Sequence, residues 1–209
     1  MTIGDWLNQS SGDPGEVTGR YDRWAQTYDT DLASWSYQAP ARVATTVLTR
    51  LPDAESVLDV GCGTGLVGRE LRARGYAGRL VGLDLSQASL DVARERGGYD
   101  SLERADLQQP LALDDDGFDA VMCVGVMTYL PDVESAWREF ARLARPGGLV
   151  IATQREDLWP ERDCQAIVDR MVDDSVLASY EVVGPAPYLP DGYGGTPAVS
   201  CYYLAAVVS

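Results

Sequence analysis

The chain has 209 residues, enough for one domain with a sizeable core, and it holds 32 Asp and Glu residues against 17 Lys and Arg residues. The formal net charge of −15 disfavours nucleic acid and anionic membranes as partners, because both would repel such a surface. Histidine and lysine are absent from the sequence, which excludes a histidine base, a Schiff-base lysine and a histidine-containing zinc site.

The N-terminal residues 1–17 are polar, without the basic and apolar pattern of a leader peptide, and no apolar run in the chain approaches the length of a membrane span. We expect these residues to be a flexible lead-in to a single domain over 18–209. The four cysteines are scattered without C-x-x-C spacing, so the sequence predicts reduced thiols and a cytoplasmic protein with no membrane contact.

The sequence of residues 18–51 predicts two helices. In this prediction Thr18 caps the first, and the second runs from Pro40 to about Leu51. The first helix carries a stripe at helical spacing, made of Tyr21, Trp24, Tyr28, Leu32 and Trp35. Such a stripe either packs on the core or covers a cationic ligand, and the sequence leaves both interpretations open. Residues 18–51 are therefore a candidate helical lid.

The stretch 57–71 organises the rest of the chain. Val57–Val60 is apolar and β-prone, Gly61–Gly65 has glycine at alternate positions, and 66–71 follows helical spacing. This pattern predicts a strand, a tight turn and a helix. Glycine permits positive φ and leaves no Cβ between the backbone and a ligand, and the N–H groups of the first helical turn would face that ligand.

A second apolar run, Leu80–Leu83, ends in Asp84 at the tip of the next predicted strand. An acid at this position of a βαβ unit can accept hydrogen bonds from both hydroxyls of a ribose, so the sequence predicts a nucleoside-type cofactor. A dinucleotide fingerprint would have Gly or Ala where this chain has Leu66. A nicotinamide-dependent dehydrogenase is disfavoured for that reason, and because the chain lacks a Tyr/Lys pair or a catalytic histidine.

The segment Asp59–Gly65 resembles the first motif of class I S-adenosylmethionine-dependent methyltransferases, and Val81–Ser86 resembles their second motif. The resemblance implies S-adenosylmethionine as the cofactor. It also implies a doubly wound, Rossmann-like α/β sheet of seven strands, mostly parallel with an antiparallel last strand. In that family the glycine turn holds the methionyl part, and the positions of Asp84, Asp106 and Leu107 hold the ribose and the adenine. The cofactor-binding residues expected on this basis are Tyr21, Trp24, Asp59, Gly61, Cys62, Gly63, Thr64, Gly65, Asp84, Leu85, Asp106, Leu107 and Cys123.

Strands and helices alternate along the rest of the chain, as in a doubly wound sheet. The predicted elements are a helix over 87–96, strands over 102–106, 118–124 and 149–153, helices from 133 and over 161–172, and two final strands over 180–183 and 199–207. The last two strands enclose a loop, 185–197, whose Tyr188 and Tyr193 we expect to border a substrate entrance. The acidic run 114–117 is typical of a solvated turn, and we expect no metal site.

The methyl acceptor is predicted only by class. Tyr28, Tyr129 and Arg155 are the candidate catalytic and substrate-contacting residues, and Arg155 is suited to holding a carboxylate. We expect a small-molecule acceptor, with secondary metabolism as a suggested context, while the attacking atom (O, N, S or C) and the oligomeric state stay open. The alternative is a protein of the same fold that binds S-adenosylmethionine without methylating, as a cyclase or a ligand sensor.

A narrower resemblance begins at about residue 18. The pattern Tyr21-Asp22-x-Trp24-Ala25-x-x-Tyr28-Asp29, with a later Thr-x-Arg at 153–155, is similar to the small Williams-Beuren-type methyltransferase subgroup. This resemblance extends over nearly the whole chain, but it does not specify a substrate.

Overall fold

The computed structural model describes residues 12–34, 36–189 and 198–209. The strands in these ranges are β1 (Ser56–Val60), β2 (Arg79–Asp84), β3 (Ser101–Arg104), β4 (Phe118–Cys123), β5 (Ala144–Arg155), β6 (Leu177–Leu189) and β7 (Val199–Val208). They form one sheet in the order β3-β2-β1-β4-β5-β7-β6, in which β1 to β5 pair in parallel and β7 runs antiparallel to both neighbours. This arrangement confirms the predicted doubly wound α/β sheet.

Helices pack on both faces of this sheet. They are α1 (Pro14–Trp24), α2 (Tyr28–Ser34), α3 (Ala39–Arg50), α4 (Leu66–Ala73), α5 (Gln87–Arg96), α6 (Val133–Leu143), α7 (Leu158–Glu161) and α8 (Cys164–Asp173). A 3₁₀ turn, Met127–Tyr129, follows β4. Across the described part of the chain, no helix combines the length and the apolar character needed to cross a bilayer.

The central strand β4 is buried along its whole length, as expected for a parallel strand covered on both faces. On one face Val121 shares a core with Leu58 and with Trp137 of α6. On the other face Ala120 shares a core with Val43 of α3. Because β1 pairs in parallel with β2 and β4, the carboxyl ends of these three strands lie together at one edge of the sheet. Open α/β sheets bind ligands at this edge.

The N-terminal helices differ from the sequence prediction. The first begins at Pro14 rather than after Thr18, because the side chain of Asp13 accepts from the N–H of Glu16 at 2.8 Å and caps it. Thr18 lies inside the helix and donates its hydroxyl to the carbonyl of Pro14. The aromatic stretch is also divided between α1 and α2 instead of forming one helix, and Trp35 lies outside the described residues.

The C-terminal half is correct in order but wrong in several boundaries. β3 ends at Arg104, so Asp106 lies in the following loop. The helix expected over 161–172 begins only at Cys164 as α8, after the separate short helix α7. β6 continues to Leu189 through a stretch predicted as loop, because an edge strand tolerates proline where no N–H needs a partner. Tyr188 therefore lies on a strand, and Tyr193 falls outside the described residues.

Candidate active site

The turn between β1 and α4 is built from glycines in conformations that other residues rarely adopt. Gly61, Gly63 and Gly65 have φ values of 74°, 55° and 89°. A Cβ at Gly61 would lie 2.3 Å from the side chain of Val126, so the turn also approaches the chain after β4 closely. The N–H of Gly61 donates to the carbonyl of Leu83 at 2.7 Å, which fixes the turn against β2.

Asp84 bridges this glycine turn and the loop after β2. Its Oδ2 accepts from the N–H of Gly63 at 2.8 Å, and its Oδ1 accepts from the N–H of Ser86 at 2.8 Å. Burial raises the pKa of Asp84 above its ordinary value, and these backbone hydrogen bonds oppose the rise. Each carboxylate oxygen has a second lone pair, so both can still accept from a ligand.

Asp59 lies behind the turn and is 1% exposed. Its Oδ2 accepts from the hydroxyl of Tyr99 at 2.7 Å, while its buried Oδ1 has no hydrogen-bond partner among the described residues. Burial raises the pKa of Asp59 from 3.8 to about 7, against the effect of the Tyr99 hydrogen bond and with a further rise from the charge of Asp84. Asp59 is therefore a buried acid that titrates near neutral pH.

An open cavity of about 650 Å³, which we call the loop cavity, lies over the glycine turn. It includes seven of the predicted cofactor residues in its lining, namely Tyr21, Gly61, Gly63, Asp84, Leu85, Asp106 and Leu107. Tyr28 and Tyr129 line it as well, together with Pro14, Val17 and Gln108, which the sequence did not single out. The cavity thus brings together residues from the carboxyl ends of β1 and β2 and from helix α1.

A second cavity of about 640 Å³, which we call the aromatic cavity, adjoins the first. Tyr21, Tyr28, Gly125 and Tyr129 line both cavities, so the two share a wall. Its other aromatic residues are Trp24, Tyr37 and Tyr188. The hydroxyl of Tyr21 donates to that of Tyr129 at 3.1 Å, and the hydroxyls of Tyr37 and Tyr188 are 2.8 Å apart.

Arg155 lines the aromatic cavity, as its predicted substrate role requires. Its Nε and Nη2 donate to the carboxylate of Asp157 at 3.0 and 2.6 Å, so the guanidinium is already paired. Asp157 is an exposed side chain at the surface. A substrate carboxylate would have to replace Asp157 or share the guanidinium with it.

Six predicted cofactor residues lie away from the loop cavity. Cys123 is fully buried in the core, because it is the last residue of a strand enclosed on both faces. Trp24 lines the aromatic cavity instead, and its indole N–H donates to Asp31 at 2.6 Å. Asp59 lies behind the turn, and Gly65 lies at the end of the turn where α4 begins. Cys62 and Thr64 line a smaller cavity beside the turn, which Tyr28 also lines.

The N-terminal helices are attached to the cofactor-side loops by two acids. Asp22 of α1 accepts from the hydroxyl of Ser86 at 2.5 Å, and Asp29 of α2 accepts from the hydroxyl of Thr64. Arg96, at the end of α5, pairs with Asp29 and also donates to the carbonyl of Thr64 at 3.1 Å. These contacts connect α1 and α2 to both loops that border the loop cavity.

Sequence reasoning also missed Arg162, which positions Tyr129. The Arg162 guanidinium donates to the carbonyls of Met127, Thr128 and Leu130 at 2.9, 3.0 and 2.9 Å and so fixes the 3₁₀ turn. An arginine in a charged helical stretch gives no local signal of this contact, because its partners lie more than 30 residues away in the sequence.

Comparison with known proteins identifies the central part of the chain. Residues 58–152 match the family described as a methyltransferase domain. The match covers less than half of the chain. The matched residues contain the glycine turn, Asp84, Asp106 and Tyr129, whereas α1 to α3 and the last two strands lie outside them. This match supports S-adenosylmethionine, which the sequence predicts, as the cofactor.

The similarity to individual proteins extends beyond residues 58–152. Human methyltransferase-like protein 27 is 40% identical over 159 residues, which are 72% of this chain and 64% of that protein. The chain thus spans less than two thirds of this relative. Magnesium protoporphyrin IX methyltransferase from Synechocystis, solved with bound SAH, aligns with a TM-score of 0.67 at 17% identity, over 94% of this chain and 100% of that one. The [4+2]-cyclase SpnF aligns with a TM-score of 0.67 at 19% identity, over 95% and 97% of the two chains. At these identities the two structures establish a common fold.

Proposed function

We propose that the protein is an S-adenosylmethionine-dependent methyltransferase that acts on a small-molecule acceptor. The observation that carries this proposal is the pair of adjoining cavities with Tyr21, Tyr28 and Tyr129 in their common wall. The loop cavity has the features of a nucleoside site, and the aromatic cavity offers a separate compartment beside it. Methyl transfer needs such an arrangement, because donor and acceptor must meet in line.

The residues of the loop cavity fit the cofactor. The positive-φ glycines leave its backbone open to the methionyl part, and Asp84 has acceptor capacity for both ribose hydroxyls. Asp106 and Leu107 would hold the adenine, and Leu85 would pack on its face. When bound, the cofactor supplies a methyl group on a cationic sulfonium. The protein's own task is to align the two ligands and exclude water, for which α1 and α2 are placed.

The tyrosines of the aromatic cavity are poor bases. Burial raises the pKa of Tyr21, Tyr28, Tyr37 and Tyr188 well above the ordinary value and raises that of Tyr129 as well. At neutral pH these hydroxyls stay protonated, so they can donate hydrogen bonds but cannot remove a proton. We infer that the acceptor presents its nucleophilic atom already deprotonated, as a carboxylate, a thiolate or a neutral amine does. Tyr28, Tyr129 and Arg155 would contact and orient it.

Three finer assignments belong to the same proposal. We assign the protein to the Williams-Beuren-type subgroup, since Asp22 and Asp29 of the N-terminal pattern attach the helices to the core. Residues 18–209 would form one domain with 18–51 as its lid, to which the start of α1 adds residues 14–17. A cytoplasmic location with a role in secondary metabolism is proposed as well, supported by four cysteines that are buried and form no disulfide.

The second candidate is a protein that binds S-adenosylmethionine without methylating. It is favoured by the alignment with SpnF, a protein described as a cyclase, over nearly the full length of both chains. Both candidates require the loop cavity, so cofactor binding does not separate them. They differ in whether the cofactor is consumed.

Turnover separates the two candidates. The protein would be incubated with S-adenosylmethionine labelled in its methyl group and with acceptors that share a ring skeleton but carry a carboxylate, a thiol, an amine or a phenol. A methyltransferase should form S-adenosylhomocysteine and a labelled product in equal amounts. Tyr129→Phe should slow this reaction, whereas Tyr180→Phe, which removes an exposed hydroxyl on β6, should leave it unchanged. Binding of S-adenosylmethionine without consumption for any acceptor would favour the cyclase or sensor.

A further inference from the structure

Tyr99 lies in the loop between α5 and β3, outside both sequence motifs, and its ring is wedged beneath the glycine turn. An added Cβ at Gly68 would lie 2.4 Å from the ring, and one at Gly82 would lie 3.0 Å from it. The ring thus occupies space that two glycines, one on α4 and one on β2, leave open. Helix α4 and strand β2 therefore both pack against this side chain.

The hydroxyl of Tyr99 makes two directed hydrogen bonds. It donates to Oδ2 of Asp59 at 2.7 Å and accepts from the N–H of Gly68 at 3.1 Å. Gly68 is in the first turn of α4, whose N–H groups have no intrahelical partner, and the capping residue Gly65 makes no side-chain cap. Tyr99 therefore supplies the cap from another part of the chain and connects the end of β1 to the start of α4.

The two oxygens of the Asp59 carboxylate differ in their hydrogen bonding. Oδ2 is held by Tyr99, while Oδ1 is buried without a hydrogen-bond partner among the described residues. Tyr99 and Asp84 act on the pKa of Asp59, and Asp59 in turn raises the pKa of Cys62 and of Cys123. These four groups supply no positive charge. A positive charge near Oδ1 of Asp59 would thus stabilise the ionised carboxylate in a way that these neighbours do not.

We propose that Tyr99 is a positioning residue for the cofactor: it holds the Asp59 carboxylate behind the glycine turn, so that cofactor binding is coupled to ionisation of Asp59. This inference rests on the proposed function. The cofactor carries positive charge at its ammonium group and its sulfonium, and a cation over the turn stabilises the ionised carboxylate. Binding then releases a proton near neutral pH, and the hydroxyl of Tyr99 favours this release by donating to the charged form.

The test is the pH dependence of S-adenosylhomocysteine affinity, measured by calorimetry from about pH 6 to about pH 10. In the wild type the affinity should rise with pH and level off near pH 7, with proton release confirmed in buffers of different ionisation enthalpy. Tyr99→Phe should shift this profile upward by about one to two pH units, since a hydrogen bond to the charged form is lost. Tyr76→Phe is the matched control, because the Tyr76 hydroxyl donates to the carbonyl of Arg79 instead, and its profile should be that of the wild type.

A flat wild-type profile, or the same midpoint in the wild type and Tyr99→Phe, would overturn the inference while leaving the proposed function intact. Absence of S-adenosylhomocysteine binding in the wild type at every pH would overturn both. A second measurement does not depend on the variant folding: the carboxyl ¹³C shift of Asp59 in the wild type should titrate near pH 7 in the free protein and lower in the complex. Equal midpoints in the two states would contradict the coupling.

Discussion

Two buried carboxylates, Asp59 and Asp84, share one site and differ in how they are stabilised. Backbone N–H groups of Gly63 and Ser86 donate to Asp84, whereas Asp59 has the Tyr99 hydroxyl as its hydrogen-bond donor among the described residues. Burial raises the pKa of both carboxyls; backbone hydrogen bonds oppose the rise at Asp84, whereas the pKa of Asp59 rises to about 7. The chemistry of the site therefore depends on a contact that neither sequence motif contains.

The buried acid predicts how stability depends on pH. The pKa of Asp59 is about 7 in the folded protein against 3.8 ordinarily, so the folded state holds this proton more tightly. Its contribution to the free energy of unfolding is thus present below about pH 4 and is lost as pH rises to about 7. We expect Asp59→Asn to flatten this decline, measured by denaturant unfolding without cofactor over that range. A decline as steep as in the wild type would contradict the assignment.

At the scale of secondary structure, helix α4 depends on a glycine that is unfavourable for helix formation. Gly68 has room for no side chain, because a Cβ there would lie 2.4 Å from the ring of Tyr99. Helices α1 and α2 depend instead on side-chain contacts with the core. They are short, and Asp22 and Asp29 attach them to the loops of the core.

Gly68→Ala should therefore destabilise the protein although alanine is the better helix former. We expect a loss of about 1 to 3 kcal/mol in the free energy of unfolding, since the ring of Tyr99 must move. Gly19→Ala is the matched control: Gly19 is also helical, and its added Cβ would lie 3.6 Å from the nearest side chain, an ordinary contact. Urea unfolding should show a free energy of unfolding for Gly19→Ala that is unchanged or higher. Equal changes in the two variants would contradict the close packing of Tyr99 against Gly68.

The attachment of the N-terminal helices can be tested in the same way. Asp29→Asn weakens the contacts with Thr64 and Arg96, so amide exchange in α1 and α2 should become faster and S-adenosylhomocysteine affinity should fall about three- to tenfold. Asp31→Asn is the control on the same helix, because Asp31 accepts from Trp24 within the N-terminal pair. Exchange by mass spectrometry that is unchanged in Asp29→Asn, or equally fast in both variants, would argue against a lid held by Asp29.

For the molecule as a whole, the formal charge of −15 should influence which ligands approach. S-adenosylmethionine carries one more positive charge than S-adenosylhomocysteine, so its association rate should be higher at low ionic strength. Raising the salt concentration shortens the screening length and should bring the two rates together. Stopped-flow fluorescence would measure both rates, and a ratio independent of salt would show that the overall charge does not steer the cofactor.

Local patterns were enough to predict the order of the elements and the glycine turn with its spaced acid. The strand, turn and helix around Gly61 are encoded in adjacent residues, and Asp84 follows from the same βαβ geometry. Tyr99 and Arg162 were missed because their partners lie some 30 to 40 residues away in the sequence, where no periodicity connects them. The helix break after Trp24 and the length of β6 were missed because packing, and not propensity, sets them.

The most direct test of the account is calorimetric titration of S-adenosylmethionine and S-adenosylhomocysteine into the wild type and Asp84→Ala. Losing a charged double hydrogen bond should cost roughly 2 to 4 kcal/mol, or about thirty- to a thousand-fold in affinity. Asp91→Ala, an exposed acid on α5, should bind both ligands as the wild type does. Absence of binding in the wild type, or equal affinities for the wild type and Asp84→Ala, would contradict a cofactor site in the loop cavity.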